Sequence, residues 1–264
     1  MRIIAGPCQH ESLYKSLEIA EHCQEICDKY NVEYYFKASF DKANRSHIDN
    51  TRGCNSVPWE SFVETLRDFK QMKETLGVKI LTDIHERWQI GDMVRNGSVD
   101  VVQIPAFLSR QTDLITAVAD QQFEAINIKK GQFMSPQDVE GILSKTAGRR
   151  VKNVWITERG TSFGYGRLIN DFTGMYDILC DLHDNFIYDV THSVQQPGGT
   201  STGGNRDYVP GLARAGAALG ITSFFLEVHP EPDYAPSDAA NMLDLNDFEW
   251  VVKDITNISK YVIG

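Results

Sequence analysis

One recurrence constrains this chain more than any other feature: a short β-rich run followed by an amphipathic helical stretch, repeated eight times. The strand candidates are residues 2–8, 34–40, 79–84, 101–105, 125–130, 153–159, 186–192 and 223–229. Helical patterns lie between them, among them residues 13–30, 59–76 and 110–120, and a last helix over about 245–261 follows the eighth strand. Strands that alternate with helices imply parallel βαβ units. Eight such units in 264 residues fit a closed (β/α)8 TIM barrel better than an open doubly wound sheet. No G-x-G-x-x-G follows the first strand to favour the open sheet. The expectation is an α/β fold, with residues 1–264 forming a single TIM-barrel catalytic domain.

Composition narrows the partners. No stretch approaches the roughly 18–20 apolar residues of a membrane span, and MRIIAGPCQHES turns polar too early for a signal peptide. Five scattered cysteines (Cys8, Cys23, Cys27, Cys54 and Cys180) make no disulfide framework. A reduced, cytoplasmic compartment is expected. Cys23 and Cys27, four apart on a helical pattern, read as packed thiols rather than a metal clamp. A net charge of −10 argues against nucleic acid or a membrane surface as the main partner. An acidic chain can still bind phosphates if its cations are gathered in one cleft.

In a barrel of this kind the chemistry sits at the C-terminal ends of the strands. Reading those ends in order gives Cys8, Lys37, Asp83 with His85, Gln103, Lys129, Arg159, Asp189 with His192, and Glu227. Three cations, Lys37, Lys42 and Arg45, fall within nine residues at the end of the second strand. Arg52, Arg110, the pair Lys129–Lys130 and Arg159 follow. Arginine forks and mobile lysine charges are what phosphates and carboxylates require. Cys8, His192, Glu227 and Asp238 come from strands one, seven and eight and the loop after eight, and strands one and eight adjoin in a closed barrel. A thiolate, an imidazole and carboxylates suit a divalent transition metal such as Zn²⁺, Fe²⁺ or Mn²⁺. The alternative is a Cys8 that is plain core and a His192 that is a satisfied polar residue. His10, His22, His47 and His183 show no evident partners and read as surface or packing residues, whereas His229 reads as a group just behind the ligands. The Gly-rich stretch 195–206 is expected to close over bound substrate.

Several segments together resemble the 3-deoxy-D-manno-octulosonate 8-phosphate synthases. They are Ile4-Ala5-Gly6-Pro7-Cys8 with Glu11-Ser12, the run from Phe36 to Ser46 with its Lys-Ala-Asn-Arg-Ser motif, and Leu81-Thr82-Asp83-Ile84-His85-Glu86. Gln103 to Leu108 with Arg110 to Leu114, Lys129 to Phe133, Glu158-Arg159-Gly160, Thr191 to Gln195, and Glu227 to Pro232 continue it across nearly the whole chain. The related 3-deoxy-arabino-heptulosonate 7-phosphate synthases share the barrel and the phosphoenolpyruvate chemistry, typically without the Lys-Ala-Asn-Arg-Ser motif. The resemblance implies condensation of phosphoenolpyruvate with D-arabinose 5-phosphate, in the service of lipopolysaccharide synthesis, by a homotetramer. It implies that Lys37, Lys42, Arg110, Lys129 and Arg159 hold phosphoenolpyruvate, and that Asn44, Arg45 and Ser46 hold the aldose and its phosphate. By the same resemblance Gln195 is expected to join the substrate-binding set, with Lys37, Lys42, His192 and Asp238 as the expected catalytic residues. A cysteine at position 8, with His192, Glu227 and Asp238 as the other ligands, implies the metal-dependent branch. The chain departs from the family at Gln9-His10, at Arg52-Gly53-Cys54-Asn55, at Ser109 and at Gly166-Arg167. A sister synthase using another aldose such as erythrose 4-phosphate, or a non-catalytic phosphosugar-binding barrel, stands as the alternative.

Overall fold

Successive residues of a strand face opposite sides, and in this chain the two sides carry different chemistry from bottom to top. The computed structural model describes residues 1–43, 45, 52–55, 57–163, 165–196 and 203–262. Its barrel strands are β1 (Arg2–Gly6), β2 (Glu33–Lys37), β3 (Lys79–Asp83), β4 (Val101–Ile104), β5 (Ala125–Lys129), β6 (Asn153–Glu158) and β7 (Phe186–Asp189). A short antiparallel hairpin of β8 (Gln195–Gln196) and β9 (Gly203–Gly204) precedes the last barrel strand, β10 (Ser223–Glu227). The closed order is β1-β10-β7-β6-β5-β4-β3-β2. Around it lie α1 (Leu13–Lys29), α2 (Pro58–Leu76), α3 (Trp88–Asn96), α4 (Thr112–Ala119), α5 (Asp138–Ser144), α6 (Phe172–Leu182), α7 (Val209–Ala218) and α8 (Leu245–Val262). The (β/α)8 barrel expected from the sequence is thus the fold. Most strands end a residue or more before the expected bounds, because beyond the ladder only isolated bridges such as Gln9↔Ser39 and Val228↔Leu243 continue the pairing.

The outward strand face, including Ile3, Phe36, Ile80, Val102, Ile126, Ile156 and Phe224, packs under the helices in the main core. Inside the barrel one residue from each strand forms a second core: Ile4, Tyr35, Leu81, Val101, Ala125, Trp155, Ile187 and Phe225. Two residues further along each strand, on the same inner face, the chain turns polar: Lys37, Asp83, Gln103, Asn127, Thr157, Asp189 and Glu227. On β1 that position is Gly6, and only glycine fits, since a Cβ there would lie 2.1 Å from the Lys37 carbonyl oxygen. Below the inner core, Arg2 stacks 4.1 Å over the Trp155 ring and Lys79 bridges Glu33 and Glu124 at 3.0 and 2.8 Å. The lower mouth is therefore filled and the upper one carries the polar side chains.

Local signals set the helices. Ser12 caps α1 by accepting from the Lys15 backbone N–H, Pro58 opens α2, and Gly77 and Gly97 end α2 and α3 in the left-handed conformation. Ile19, Ala20, Cys23, Ile26 and Cys27 form the buried stripe of α1, so the two cysteines are packed thiols as expected. Burial pushes the Cys27 thiol up to about 12, and all five cysteines are free. Among the described residues no helix is long and apolar enough to cross a membrane.

His10 corrects the sequence reading. Instead of lacking partners it is fully buried, with Nδ1 2.9 Å from Ser16 Oγ on α1 and Nε2 2.9 Å from Asp68 Oδ2 on α2. Its backbone N–H donates to the Ser39 carbonyl at 2.9 Å, so one residue ties the extension of β1 to two outer helices. The signal was not legible because neither partner is within a helical turn of it in sequence. Removing the imbuilt imidazole by His10→Ala leaves buried polar groups unpaired and should cost about 2 kcal/mol. Calorimetry should show a melting point roughly 4–8 °C lower; an unchanged value would refute the tie. Gly6→Ala, which forces β1 away from β2, should cost about 2 kcal/mol by overpacking and is checked by the same scan.

Candidate active site and metal centre

The upper mouth collects side chains from every part of the chain. Cys8 lies just past β1, Lys37 ends β2, Lys129 ends β5, Arg159 follows β6, His192 follows β7 and Glu227 ends β10. Asp238 lies between two short 3₁₀ turns after β10, with φ 51° and ψ 22°. It is one of three non-glycine residues at positive φ among the described residues, a conformation that Asp accepts better than bulky residues do.

Cys8, His192, Glu227 and Asp238 each offer one ligand atom, and these atoms all lie within 4.8 Å of one another. Cys8 Sγ is 3.2 Å from Asp238 Oδ2, and His192 Nε2 is 3.5 Å from Glu227 Oε1. A four-coordinate cation with bonds of about 2.0–2.3 Å accepts such separations. The donor set fits a divalent transition metal. Glu227 Oε2 is buried without a hydrogen-bond partner among the described residues. Burial, with the Glu227 carboxylate next, pushes the Cys8 thiol well above its ordinary range, so a thiolate there needs a cation. The Asp238 carboxyl is held low by the charges of His192 and Lys42, against the effect of burial.

Four cations interleave with these acids. Lys42 Nζ donates to the Cys8 carbonyl at 2.9 Å and to Cys8 Sγ at 2.7 Å, and Lys37 Nζ donates to the same carbonyl at 3.1 Å. Both ammoniums also reach Ser39 Oγ at 3.1 Å. Lys37 Nζ is 3.4 Å from Glu227 Oε1. Lys129 pairs with Asp189 and sits 3.3 Å above the Phe225 ring, which makes that phenyl the floor of the site. Arg159 donates through one Nη to Gln195 Oε1, and Gln195 Nε2 donates onward to Asp238 Oδ1. The other terminal nitrogen, Nη1, is buried with no hydrogen-bond partner among the described residues. Burial pushes the Lys129 ammonium down to about 8, with Asp189 opposing.

Most of the expected site residues thus meet. Lys37, Lys42, Lys129, Arg159, Gln195, Cys8, His192, Glu227 and Asp238 form one connected network. Arg110 stands apart, exposed between β4 and α4, where its carbonyl accepts from Lys145 at 2.9 Å. Asn44 and Ser46 lie outside the described residues, as do 197–202 of the Gly-rich stretch. The Arg45 backbone N–H donates to the Lys42 carbonyl at 3.3 Å. His229 is not at the ligands: its Nε2 is 3.0 Å from Glu11 Oε1 and its Nδ1 accepts from the Glu231 N–H.

Three contributors carried no assigned role in the sequence reading. Asp189 accepts from His192 Nδ1 at 2.8 Å and from Lys129. Asp83 holds His85 Nε2 at 3.0 Å, and the His85 hydrogen bond with the nearby Lys37 and Lys42 charges keeps its carboxyl well below the usual range despite burial. Phe225 supplies the floor. An aspartate three residues before a candidate ligand histidine was the available signal for the first.

Comparison with known proteins places this arrangement. The family model for the DAHP synthetase I family matches residues 1–262. A protein of Nitrobacter hamburgensis named 2-dehydro-3-deoxyphosphooctonate aldolase is 45% identical over 255 residues, covering 96% of this chain and 86% of the relative. One of the same name from Fusobacterium nucleatum is 45% identical over 264 residues, covering 99% and 91%. Another from Caulobacter vibrioides is 44% identical over 257 residues, covering 97% and 86%. This chain belongs to the DAHP synthetase I family and, within it, groups with the 2-dehydro-3-deoxyphosphooctonate aldolases, also called 3-deoxy-D-manno-octulosonate 8-phosphate synthases.

Proposed function

We propose that this chain condenses phosphoenolpyruvate with D-arabinose 5-phosphate, giving 3-deoxy-D-manno-octulosonate 8-phosphate and inorganic phosphate. The observation that carries the reading is the single network in which Lys37, Lys42, Lys129 and Arg159 interleave with Cys8, His192, Glu227 and Asp238. Two polyanionic substrates brought together need dense fixed positive charge, and the names of the relatives point to the same product. Residues 1–264 act as one catalytic domain in the cytoplasm, in a homotetramer.

The roles follow from position. Lys129 and Arg159 bind the anionic groups of phosphoenolpyruvate, and Arg159 Nη1 offers it a donor that is unpartnered among the described residues. Lys37 and Lys42, held by the Cys8 carbonyl and Ser39, face the charge that develops on the aldehyde oxygen as the enol carbon bonds to the aldehyde carbon. Water adds to the neighbouring carbon and phosphate leaves from it. Gln195 fixes Arg159 relative to Asp238. Asn44, Arg45 and Ser46 take the aldose and its phosphate, and Arg110 serves a site shared with a neighbouring subunit. Cys8, His192, Glu227 and Asp238 would hold Zn²⁺, Fe²⁺ or Mn²⁺. When bound, such an ion would supply Lewis acidity toward an oxygen at the reacting centre.

Phosphate release should require both phosphoenolpyruvate and D-arabinose 5-phosphate, exceed that with erythrose 4-phosphate, stop on chelation and return with a divalent metal. Cys8→Ala should lose stoichiometric metal by elemental analysis and lower kcat at least about a hundredfold. Activity that survives chelation would discard the metal assignment, and silence with both aldoses would discard the synthase. A pH profile tests Lys129 separately. Its ammonium is charged below about 8 and loses its proton above, so kcat/KM for phosphoenolpyruvate should fall as pH rises through that value. Lys129→Arg, charged throughout, should move the alkaline limb upward; a limb that stays in place would assign it to another group.

A further inference from the structure

The fully buried carboxylate of Asp189 serves two groups with different tasks. Its Oδ2 accepts from His192 Nδ1 at 2.8 Å and also from Lys129 Nζ. Its Oδ1 accepts from the backbone N–H groups of Thr191 and His192 at 3.1 and 2.8 Å, which fixes the carboxylate in place. With Nδ1–H committed to Asp189, His192 presents Nε2 toward Glu227, 3.5 Å away. The same oxygen therefore orients a metal-ligand imidazole and neutralises a lysine assigned above to phosphoenolpyruvate.

From this shared oxygen we infer that Asp189 is a positioning residue that makes metal binding and phosphoenolpyruvate binding strengthen each other; the inference rests on the function proposed above. The direction follows from competition for one acceptor. A substrate anion draws the Lys129 ammonium away from Asp189 Oδ2. The carboxylate then bonds more strongly to His192 Nδ1–H, and Nε2 becomes a better electron donor to a metal. In reverse, a cation on Nε2 polarises Nδ1–H, which claims more of Oδ2 and leaves Lys129 freer for the anion. Linkage requires the two effects to be equal in free energy. The backbone N–H groups of Thr191 and His192 occupy the other oxygen and stay out of this competition, while the Arg159 charge acts on the carboxylate through space.

The test is equilibrium binding without aldose, so that no turnover occurs. Zn²⁺ affinity of the full-length protein is measured by competition with a chromophoric chelator, with and without saturating phosphoenolpyruvate, and phosphoenolpyruvate affinity is measured by calorimetry with and without Zn²⁺. In the wild type each ligand should raise the affinity of the other on the order of tenfold. Asp189→Asn keeps the size of the side chain and removes the charge, and the factor should fall several-fold toward one. Retention of the full factor in Asp189→Asn, or a factor of one in the wild type with both ligands bound, would overturn the inference and leave the function standing. Failure of phosphoenolpyruvate to bind at all would overturn both. Because Asp189→Asn can also lose metal or fold, the wild type carries a second readout. In Zn²⁺-loaded protein with ¹⁵N-labelled histidine, the His192 Nδ1–H proton should move downfield when phosphoenolpyruvate is added; a resonance that does not move would overturn the inference.

Discussion

The whole arrangement depends on one strand pairing, between β1 and β10, that closes the ring. Its register runs from Arg2↔Ser223 to Gly6↔Glu227, and beyond it the Val228 N–H still donates to the Gly6 carbonyl at 3.0 Å. That register puts the end of the first strand against the end of the last, so a cysteine near the start of the chain meets a glutamate near its far end. Because a one-residue slip turns every side chain to the other face, the same pairing that buries Ile4 and Phe225 inside the barrel also aims Cys8 and Glu227 into its mouth. Gly6 makes this possible by leaving no side chain between β1 and the Lys37 backbone.

Above the inner core, charge balance takes over from apolar packing. Buried ammonium and guanidinium groups are costly unless paired, and each cation here leans on an acid, a thiol or a carbonyl of the site: Lys37 on Glu227, Lys42 on Cys8, Lys129 on Asp189, and Arg159 through Gln195 on Asp238. Those partners are the candidate metal ligands or their immediate supports. A divalent cation taking Cys8, Glu227 and Asp238 would compete with the lysines for them and leave the lysines to an incoming anion. On the function proposed above, metal and substrate would complement opposite halves of one ion-paired network, and that pairing lets so many buried cations fold in a chain of net charge −10.

The fold was legible because periodicity is local: each βα unit announces itself within about thirty residues, and the strand ends named the rim correctly. The candidate ligand set was harder, since no short spacing joins Cys8 to Asp238; closure of the ring made their meeting feasible, and the family resemblance singled them out. What escaped were contacts made in space without a sequence pattern. His10 finds Ser16 and Asp68 on two different helices, His229 turns to Glu11 rather than to the ligands, and Asp189 serves two elements at once. Strand ends were overread by one to three residues because the extended backbone runs on past the last ladder bond, as the Gln9↔Ser39 bridge shows.

The division of the barrel interior into an apolar lower half and a charged upper half also bears on which ligands the site can take. An anion that takes Lys37 or Lys129 in this network must draw it from its carboxylate, and breaking a buried pair without replacing it costs on the order of 3–5 kcal/mol. A ligand with a single negative charge can repair only one pair. A ligand that carries a phosphate and a carboxylate can satisfy Lys129 and the spare Nη1 of Arg159 together while other cations remain on their protein partners. On the function proposed above, the network would discriminate by the number and spacing of anionic groups before any hydroxyl of the sugar is read, with side chains positioned by the register of the strands beneath them.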